Sequence, residues 1–316
     1  MRLLFAGTPE PAVVALQKLL ESDHEVVAVL TRPDAHKGRG RSLHPSPVAA
    51  LAAEHGIEVL KPSTLKAGTE DGQAFRKRLK ELNVDCAPVV AYGNLLPQDV
   101  LDMVPQGFIN LHFSLLPAWR GAAPVQAAIA AGDTETGATT FRIDVGLDTG
   151  DILGVVKDQI SQTDTADDLL TRLAYSGADL LVETMDGLES GNITPRPQEG
   201  EASHAAKILV ADAQVDFGDE AEVLSRKLRA VTPAPGGWAM MGDQRFKLKP
   251  VTVVPPEQLE GVHLDPGELL IEKKRVLVGT GSTPVQLSMI QAPGKKMMQA
   301  TDWARGQKDT EGLKFA

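Results

Sequence analysis

Two polar side chains in an otherwise apolar stretch are the first candidates for chemistry. Asn110 and His112 lie in the segment GFINLHFSLLPAWRGAAP. They are separated by one residue, so on a strand predicted over residues 108–113 both point to the same face. An amide N–H can stabilise an oxyanion, and an imidazole can transfer a proton near neutral pH. The pair could instead be structural, with both side chains satisfied by nearby backbone.

An acidic turn could supply the carboxylate that such a histidine needs. Asp148 lies in the segment RIDVGLDTGD, in a glycine-flanked turn between two predicted strands. A carboxylate beside a histidine favours the protonated ring and fixes its orientation. Asp144 and Asp151 are alternatives for this role, and the segment could also be only a turn, because Asp and Gly are turn residues. Asn110, His112 and Asp148 together form a candidate catalytic group.

Clusters of basic residues are candidates for binding an anion. The clusters are Lys37, Arg39 and Arg41; Lys273 and Lys274; and Lys295 and Lys296. The first cluster lies in a glycine-containing predicted loop, KGRGR, where three close cations favour a negatively charged partner. Each cluster could equally be a solvated patch that keeps the protein soluble.

The elements that position these residues alternate between strands and helices over the first 190 residues. Such alternation indicates an α/β fold with a parallel, doubly wound sheet. These sheets bind ligands at the C-terminal ends of their strands, which is where Asn110 and His112 fall. The predicted strands are 2–6, 25–31, 57–60, 85–92, 108–113, 139–145 and 152–160, and the predicted helices follow Pro9 and cover 46–55, 73–82, 98–104, 124–131 and 166–188.

The pattern changes near residue 190. Residues 190–207 are rich in Gly, Pro, Glu and Ser without periodicity, which indicates a linker. Beyond them, one predicted helix is followed by short strands bounded by Gly and Pro, a pattern typical of a small β-barrel. The sequence therefore predicts a catalytic domain over 1–189, the linker, and a barrel domain over 208–316.

Composition restricts the classes of protein that fit. The chain has 316 residues, enough for about two domains, and is 42% hydrophobic and 23% charged, as is usual for globular proteins. No apolar run approaches the ~18 residues of a membrane helix, and one cysteine excludes an internal disulfide. We expect a cytoplasmic protein that needs no metal. The turn AGTPEPA after the first strand lacks the G-x-G-x-x-G pattern, which argues against NAD binding.

The charge is distributed unevenly. Residues 1–207 contain 18 basic and 28 acidic side chains and account for the whole net charge of −10, whereas residues 208–316 contain 14 of each. The acidic part argues against broad nucleic-acid binding, so a polyanion is expected to meet local basic patches. Only 4% of residues are aromatic, which argues against a stacking platform for single strands.

The motifs together resemble the 10-formyltetrahydrofolate-dependent formyltransferases. The resemblance is carried by INLHFSLLP, WRGAAP and GLDTGD, and also by AGTPE, RPD…KGRGR…PSPV, VVAYGNLLP and the C-terminal PGKKM. It implies a Rossmann-like doubly wound domain followed by an OB-like barrel. It also implies 10-formyltetrahydrofolate as co-substrate, no metal, and a catalytic group of Asn110, His112 and Asp148.

The resemblance further implies a reaction and a folate pocket. A primary amine would attack the formyl carbon on N10 of the folate. Asn110 and protonated His112 would stabilise the oxyanion, while Asp148 would raise the pKa of His112 and accept protons from the ammonium. The residues implied to shape the folate pocket are Ser114, Leu115, Leu116 and Pro117, with Tyr92 and Gly93 in the backbone that faces the pterin.

The implied partner is a charged initiator methionyl-tRNA, bound by a chain that we expect to be monomeric. The basic loop KGRGR resembles the loop that contacts the tRNA acceptor stem in the family members acting on this tRNA. The key arginine of that loop corresponds to Arg39. Two positions depart from the family pattern: Pro11 replaces an aromatic residue near the methionine side chain, and Phe113 replaces a small residue. The rival functions are a formyltransferase for a sugar nucleotide or glycinamide ribonucleotide, a silent folate- or RNA-binding module, and a formylfolate hydrolase.

Overall fold

The structure is a computed structural model that describes residues 1–37, 42–259, 261–307 and 312–316. The described chain divides into two compact units. The first unit comprises residues 1–124, 135–159 and 170–204, and the second comprises residues 125–134, 160–169 and 205–316. The domain boundaries predicted at residues 189 and 208 describe parts of the chain that would fold independently. They stay a prediction.

The secondary structure is numbered in chain order. The strands are β1 Arg2–Gly7, β2 Glu25–Leu30, β3 Ala35–Lys37, β4 Ser42–His44, β5 Glu58–Leu60, β6 Ala87–Val90, β7 Phe108–His112, β8 Arg120–Gly121, β9 Glu135–Arg142, β10 Ile152–Gln159, β11 His204–Ala205, β12 Gly237–Met241, β13 Gln244–Leu248, β14 Thr252–Val253, β15 Leu269–Ile271, β16 Val276–Val278, β17 Val285–Gln286, β18 Met289–Gln291 and β19 Met298–Gln299. The helices are α1 Glu10–Leu20, α2 Pro47–Glu54, α3 Glu70–Leu82, α4 Gln98–Leu101, α5 Pro124–Ala131, α6 Ala166–Glu189, α7 Ala221–Ala230 and α8 Ala300–Arg305. Short 3₁₀ turns lie at Ala211–Ala213 and Pro256–Gln258.

A seven-stranded sheet forms the centre of the first unit, in the order β10-β9-β7-β6-β1-β2-β5. The five strands from β7 to β5 are parallel, which confirms the predicted doubly wound arrangement. The edge differs from the prediction, because β9 runs antiparallel to β7 and β10 runs antiparallel to β9. Residues 143–151 between β9 and β10 contain no helix, and a parallel pair needs a longer crossover connection.

Local sequence explains why these elements form. All four residues of β6 are buried, as expected for a central parallel strand that is covered on both faces. Helix α1 buries Ala12, Leu16 and Leu19, three or four residues apart, so one face of the helix is apolar. The hydroxyl of Ser46 accepts a hydrogen bond from the Ala49 N–H and caps the start of α2.

The sheet order predicts a ligand crevice between β1 and β6, and β7 is the strand next to β6. The connections from β1 lead to β2 and β5 on one side, whereas the later strands β6 and β7 lie on the other side. A ligand crevice is expected where the order reverses, at the C-terminal ends of β1 and β6. Gly7 ends β1, and a Cβ at this position would lie 2.7 Å from the Cβ of Ala12. Only glycine permits this close approach of strand and helix.

The predicted basic loop is partly a strand pair. Strand β3 pairs with β4 in antiparallel register, on either side of residues 38–41. Lys37 is the last residue of β3, while the predicted tRNA contacts Arg39 and Arg41 lie outside the described residues. The sequence interpretation as one long loop from strand to helix therefore missed this hairpin.

The second unit is rich in short strands around one hydrophobic core, consistent with the predicted small barrel. Its two four-stranded sheets have the orders β12-β13-β18-β19 and β14-β17-β16-β15. The core stacks Phe217 on Phe315 at 5.2 Å between ring centroids, and Phe246 meets the edges of Phe315 and Trp303 at 5.9 Å each. The sequence analysis missed α8, which carries Trp303 into this core. No helix in the described ranges is long and apolar enough to cross a membrane.

Candidate active site

Asn110 and His112 lie at the C-terminal end of β7, between β6 and β9. His112 is only 5% exposed, and its ring meets the edge of Phe141 at 6.4 Å between centroids. Asn110 is half-buried, and among the described residues its side-chain amide has no hydrogen-bond partner. Its amide N–H is therefore available to a bound substrate.

The contacts of His112 determine its tautomer. Its Nε2 lies 2.9 Å from the carbonyl oxygen of Trp119, and because a carbonyl only accepts, the Nε2–H must donate. The other ring nitrogen, Nδ1, faces the carboxylate of Asp148 at 3.8 Å. This distance is longer than a hydrogen bond. Nδ1 is therefore the ring nitrogen left for proton transfer.

The protonation state of His112 differs from the sequence expectation. Asp148 and the carbonyl of Trp119 raise the pKa of His112, as expected for Asp148. Burial has the larger effect, however, and holds the pKa of His112 below its ordinary value of 6.5. The ring is therefore neutral at pH 7, with Nδ1 as a proton acceptor.

The structure distinguishes Asp148 from the two alternative carboxylates. Asp148 Oδ2 accepts the Gly121 N–H at 2.7 Å and faces His112. Asp144 instead accepts the Gly146 N–H and the Thr149 hydroxyl within its own turn. Asp151 is exposed. Of these three carboxylates, only Asp148 is placed beside the histidine.

The segment after β7 contains the four residues predicted to shape the folate pocket, of which two are buried and two are partly exposed. Ser114 is fully buried, and its hydroxyl donates to the Ala118 carbonyl. Leu116 is also buried, packed against Phe141 and Ile152. Leu115 and Pro117 are half-exposed. The two buried residues support the loop, so only the other two present side chains to a ligand.

Tyr92 and Gly93 follow the C-terminal end of β6, at the crevice. The Tyr92 carbonyl accepts the Thr8 hydroxyl at 2.9 Å, which connects the ends of β6 and β1. The Tyr92 side chain is 2% exposed, and burial raises the pKa of its hydroxyl. Gly93 is exposed, and its φ of +84° is a backbone conformation that favours glycine.

Sequence reasoning missed two residues that contact this site from the predicted linker. Gln198 donates to the carbonyl of Asp148 at 2.8 Å, and Ser203 accepts the Trp119 N–H at 2.8 Å. The polar, Gly- and Pro-containing composition around them gave no signal of a contact. No group of three His, Cys, Asp or Glu that could hold a metal ion occurs in the part of the chain that the structure describes.

The predicted basic pairs lie on separate turns of the second unit. Lys273 and Lys274 are exposed between β15 and β16, and Lys295 and Lys296 are exposed between β18 and β19. These turns belong to different sheets, so the pairs do not share one sheet face. Arg275, next to the first pair, is already paired with Glu272.

A further basic group, in the second unit, was missed by the sequence analysis. Arg245, Lys247 and Lys249 alternate with the buried Phe246 and Leu248, so the three cations point to the outer side of β13 and its continuation. This alternation is visible in the sequence QRFKLK, and it is the signal that could have found them. We call these three residues the β13 cations.

The surroundings of the β13 cations suit a polyanion. Trp238 and Gln291 lie opposite Lys247 on the two neighbouring strands. The guanidinium of Arg245 lies 5.1 Å from the centre of the Trp238 ring. A cleft of about 420 Å³ runs along this face and is lined by residues 243–245, 247 and 291–294. Within the described ranges, no carboxylate forms an ion pair with these cations.

Comparisons with known proteins give the family of both parts of the chain. A family model described as "Formyl transferase" matches residues 1–185, and "Formyl transferase, C-terminal domain" matches residues 207–308. A protein of Corynebacterium aurimucosum named "Methionyl-tRNA formyltransferase" is 64% identical over 97% of this chain and 94% of its own length. A protein of Corynebacterium diphtheriae with the same name is 65% identical over 99% of each chain.

A solved structure shares the fold. The sugar 3N-formyl transferase WlaRD, solved with dTDP and 5-N-formyl-THF, matches 94% of this chain and 99% of its own with a TM-score of 0.67. Its sequence identity is 16%, so this likeness concerns the fold alone.

Proposed function

The chain belongs to the formyl transferase family, and we propose that it transfers the formyl group of 10-formyltetrahydrofolate to the amino group of methionyl-tRNA. The observation that carries the proposal is the arrangement at the end of β7, where no described residue hydrogen-bonds to the Asn110 side-chain amide and His112 Nδ1 faces Asp148. The full-length relatives named methionyl-tRNA formyltransferase support the choice of acceptor.

The proposed reaction uses each group of the site at a defined step. The amine lone pair forms the new C–N bond, and the carbonyl π electrons move to oxygen and give a tetrahedral oxyanion. Asn110 donates its amide N–H to this oxygen, an interaction worth about 3 kcal/mol in comparable sites. The oxyanion then re-forms the carbonyl and expels N10 of tetrahydrofolate.

The proton balance depends on His112 and Asp148. The attacking amine loses a proton to the neutral Nδ1 of His112 or to the carboxylate of Asp148, which face each other at 3.8 Å. The departing N10 takes up one proton, so the pair returns to its starting state after each turnover. The hydrogen bond from Nε2 to Trp119 keeps the ring in the orientation that this transfer requires.

The residues at the crevice fit a folate. Leu115 and Pro117 are half-exposed, and the neighbouring turn exposes Val145 by 85% and Leu147 by 61%. Apolar side chains displayed in this way suit the aromatic parts of a ligand. The backbone peptide groups at Tyr92 and Gly93 would bind the polar edge of the pterin.

The tRNA is proposed to contact basic groups of both units. The β13 cations, Lys295 and Lys296 would bind phosphates from the second unit, and Lys37, Arg39 and Arg41 stay predicted contacts to the acceptor stem. We favour the β13 cations over Lys273 and Lys274, because they share one sheet face with an aromatic ring.

Formyl transfer from 10-formyltetrahydrofolate to charged initiator methionyl-tRNA tests the proposal, with elongator methionyl-tRNA as the control. We expect rapid formylation of the initiator and slow formylation of the elongator. Equal rates would contradict initiator selection. Faster transfer to an amino-sugar nucleotide or to glycinamide ribonucleotide would contradict the acceptor and support the rival function.

Two further properties belong to this proposal. The reaction would take place in the cytoplasm, where tRNA is charged. The chain would act as a monomer, which light scattering on the purified protein tests.

A further inference from the structure

One side chain holds the turn that carries Asp148. The amide nitrogen of Gln198 donates to the Asp148 carbonyl at 2.8 Å and to the Gly150 carbonyl at 2.9 Å. An amide group has two N–H donors, so both are used. The backbone of Asp148 has a φ of +53°, a region that costs a non-glycine residue free energy unless its surroundings hold it. Gln198 therefore binds the turn at two carbonyl groups, those of the residues before and after Thr149.

Arg120 fixes the orientation of the Gln198 amide. The Gln198 Oε1 accepts from Arg120 Nη2 at 2.6 Å and from Arg120 Nε at 3.2 Å. A guanidinium only donates, so the oxygen must face Arg120 and the nitrogen must face the two carbonyls. The next residue, Gly121, donates its N–H to the Asp148 carboxylate. Strand β8 therefore binds the Asp148 carboxylate directly through Gly121, and it orients the side chain that binds the Asp148 backbone through Arg120.

The same segment also holds the other partner of His112. Ser203 accepts the Trp119 N–H through its hydroxyl, and the Trp119 carbonyl accepts the Nε2–H of His112. Gln198 and Ser203 are half-buried, whereas residues 194–197 and 199–202 are exposed. The two residues of this segment that point inward are those that hold the groups on either side of His112.

We propose that Gln198 is a positioning residue for formyl transfer, which holds the Asp148 carboxylate against Nδ1 of His112. This inference rests on the proposed function, because it takes His112 and Asp148 as the groups that handle the proton. A spacer between two domains would need neither the paired donors of Gln198 nor their orientation by Arg120. Gln198 and Ser203 are therefore part of the active site, although they follow α6 in the sequence.

Gln198→Glu tests the proposal in the full-length chain. Glutamate keeps the size of the side chain and the contact with Arg120, but it presents an acceptor oxygen to two carbonyls. We expect kcat to fall by about 10- to 100-fold, the effect of a displacement of about 1 Å, while KM for folate and tRNA changes little. The matched control is Glu199→Gln at the exposed neighbouring position, which should leave kcat unchanged.

The pH profile separates positioning from a general structural role. Asp148 raises the pKa of His112, so a loosened Asp148 lets this pKa fall further and moves the acidic limb of kcat to lower pH. Gln198→Ala removes the donors without adding a charge, and it should move the limb in the same direction. An unchanged acidic limb in both variants would overturn the proposal.

A double-mutant cycle gives an independent check. If Gln198 acts through Asp148, Gln198→Glu should have no further effect on kcat in an Asp148→Asn background. Equal losses in the two backgrounds would overturn the proposal, and thermal unfolding of each variant shows whether the fold is retained. Full activity of Asp148→Asn alone, or no formylation by the unaltered chain, would instead contradict the proposed function.

Discussion

At the scale of the residue, burial and hydrogen bonding decide what His112 can do. The carbonyl of Trp119 takes the Nε2–H, and burial lowers the pKa of the ring. A neutral imidazole with a free Nδ1 accepts a proton, whereas the protonated ring expected from the sequence would donate one. The step assigned to His112 therefore follows from its position in the sheet.

Removing the side chains of the catalytic group should slow turnover more than binding. Asn110→Ala deletes the oxyanion donor, and His112→Ala deletes the proton acceptor, so kcat should fall by roughly 10²-fold or more for each. KM should change less, since both groups act mainly in the transition state. Steady-state kinetics with initiator methionyl-tRNA measures this, with Asp151→Asn as a control at an exposed carboxylate. Near-normal turnover would remove the residue from the mechanism.

The pH dependence should follow the lowered pKa of His112. Transfer needs Nδ1 unprotonated, so the acidic limb of kcat should lie below pH 6.5, the ordinary value for histidine. Asp148→Asn removes a charge that raises this pKa, so the limb should move to still lower pH while kcat falls. A limb at or above 6.5 in the unaltered protein would contradict a neutral His112.

The same pKa affects stability. His112 titrates below its unfolded value of 6.5, so the unfolded chain binds the proton more readily. Its contribution to stability is complete above pH 6.5 and is lost as the pH falls towards the folded pKa. Denaturant unfolding between pH 7.5 and about 5 should show this loss, and His112→Gln should reduce the slope.

At the scale of the element, one strand face and one hairpin are the surfaces assigned to tRNA. Exposed cations alternate with buried apolar residues along β13, so cations two residues apart in the sequence lie on one face of the strand. Strands β3 and β4 pair on either side of residues 38–41, and the predicted contacts Arg39 and Arg41 lie outside the described residues.

Neutralising the β13 cations should weaken tRNA binding and its salt dependence. For Arg245→Gln with Lys247→Gln, the slope of log K against log salt should become shallower by about two, since each lost phosphate contact removes about 0.9. Lys273→Gln with Lys274→Gln removes the same charge from another sheet and should change the slope less. Folate binding should be unchanged in both variants. An equal or larger effect of the lysine pair would contradict our choice of surface.

Arg39 and Arg41 should contribute selectivity as well as charge. Arg39→Ala with Arg41→Ala should slow the use of tRNA without changing folate binding. Arg39→Lys keeps the charge but loses the planar guanidinium, so it separates a phosphate contact from base recognition. Unchanged rates on initiator and elongator tRNA would mean that these two arginines make no contact with it.

At the scale of the whole molecule, the catalytic group depends on chain that lies beyond the long helix α6. Gln198 and Ser203 follow α6 in sequence and belong to the first unit. A chain that ends at residue 190 should lose formyl transfer, because the turn of Asp148 and the Trp119 peptide lose their partners. A chain that ends at residue 206 keeps both contacts and should retain more folate-dependent activity with a small methionyl ester.

Equal activity of the two truncated chains would contradict the role of residues 196–203. Circular dichroism of both chains is the control for folding, because each lacks most of the second unit. Weak tRNA binding by both would agree with the assignment of phosphate contacts to that unit.

The sequence alone determined the fold class and the family. Strand and helix periodicity predicted seven strands of a parallel sheet in the first part of the chain and short strands in the second, because these patterns reflect which side chains must be buried. Five of the seven strands are parallel, and the direction of the two edge strands was predicted wrongly. The spacing of Asn110 and His112 also determined that both share one face at a strand end. The combination of motifs identified the formyltransferases, which the family models confirm.

Only the tertiary structure decided how the site is assembled. The choice of Asp148 over Asp144 and Asp151 depends on a turn that folds back to β7, and the tautomer of His112 depends on the Trp119 carbonyl, whose contact with the ring no sequence pattern indicated. The contact of Gln198 joins residues 50 positions apart in the chain. Hydrogen bonds of this kind form between groups that folding brings together, so a local pattern cannot show them.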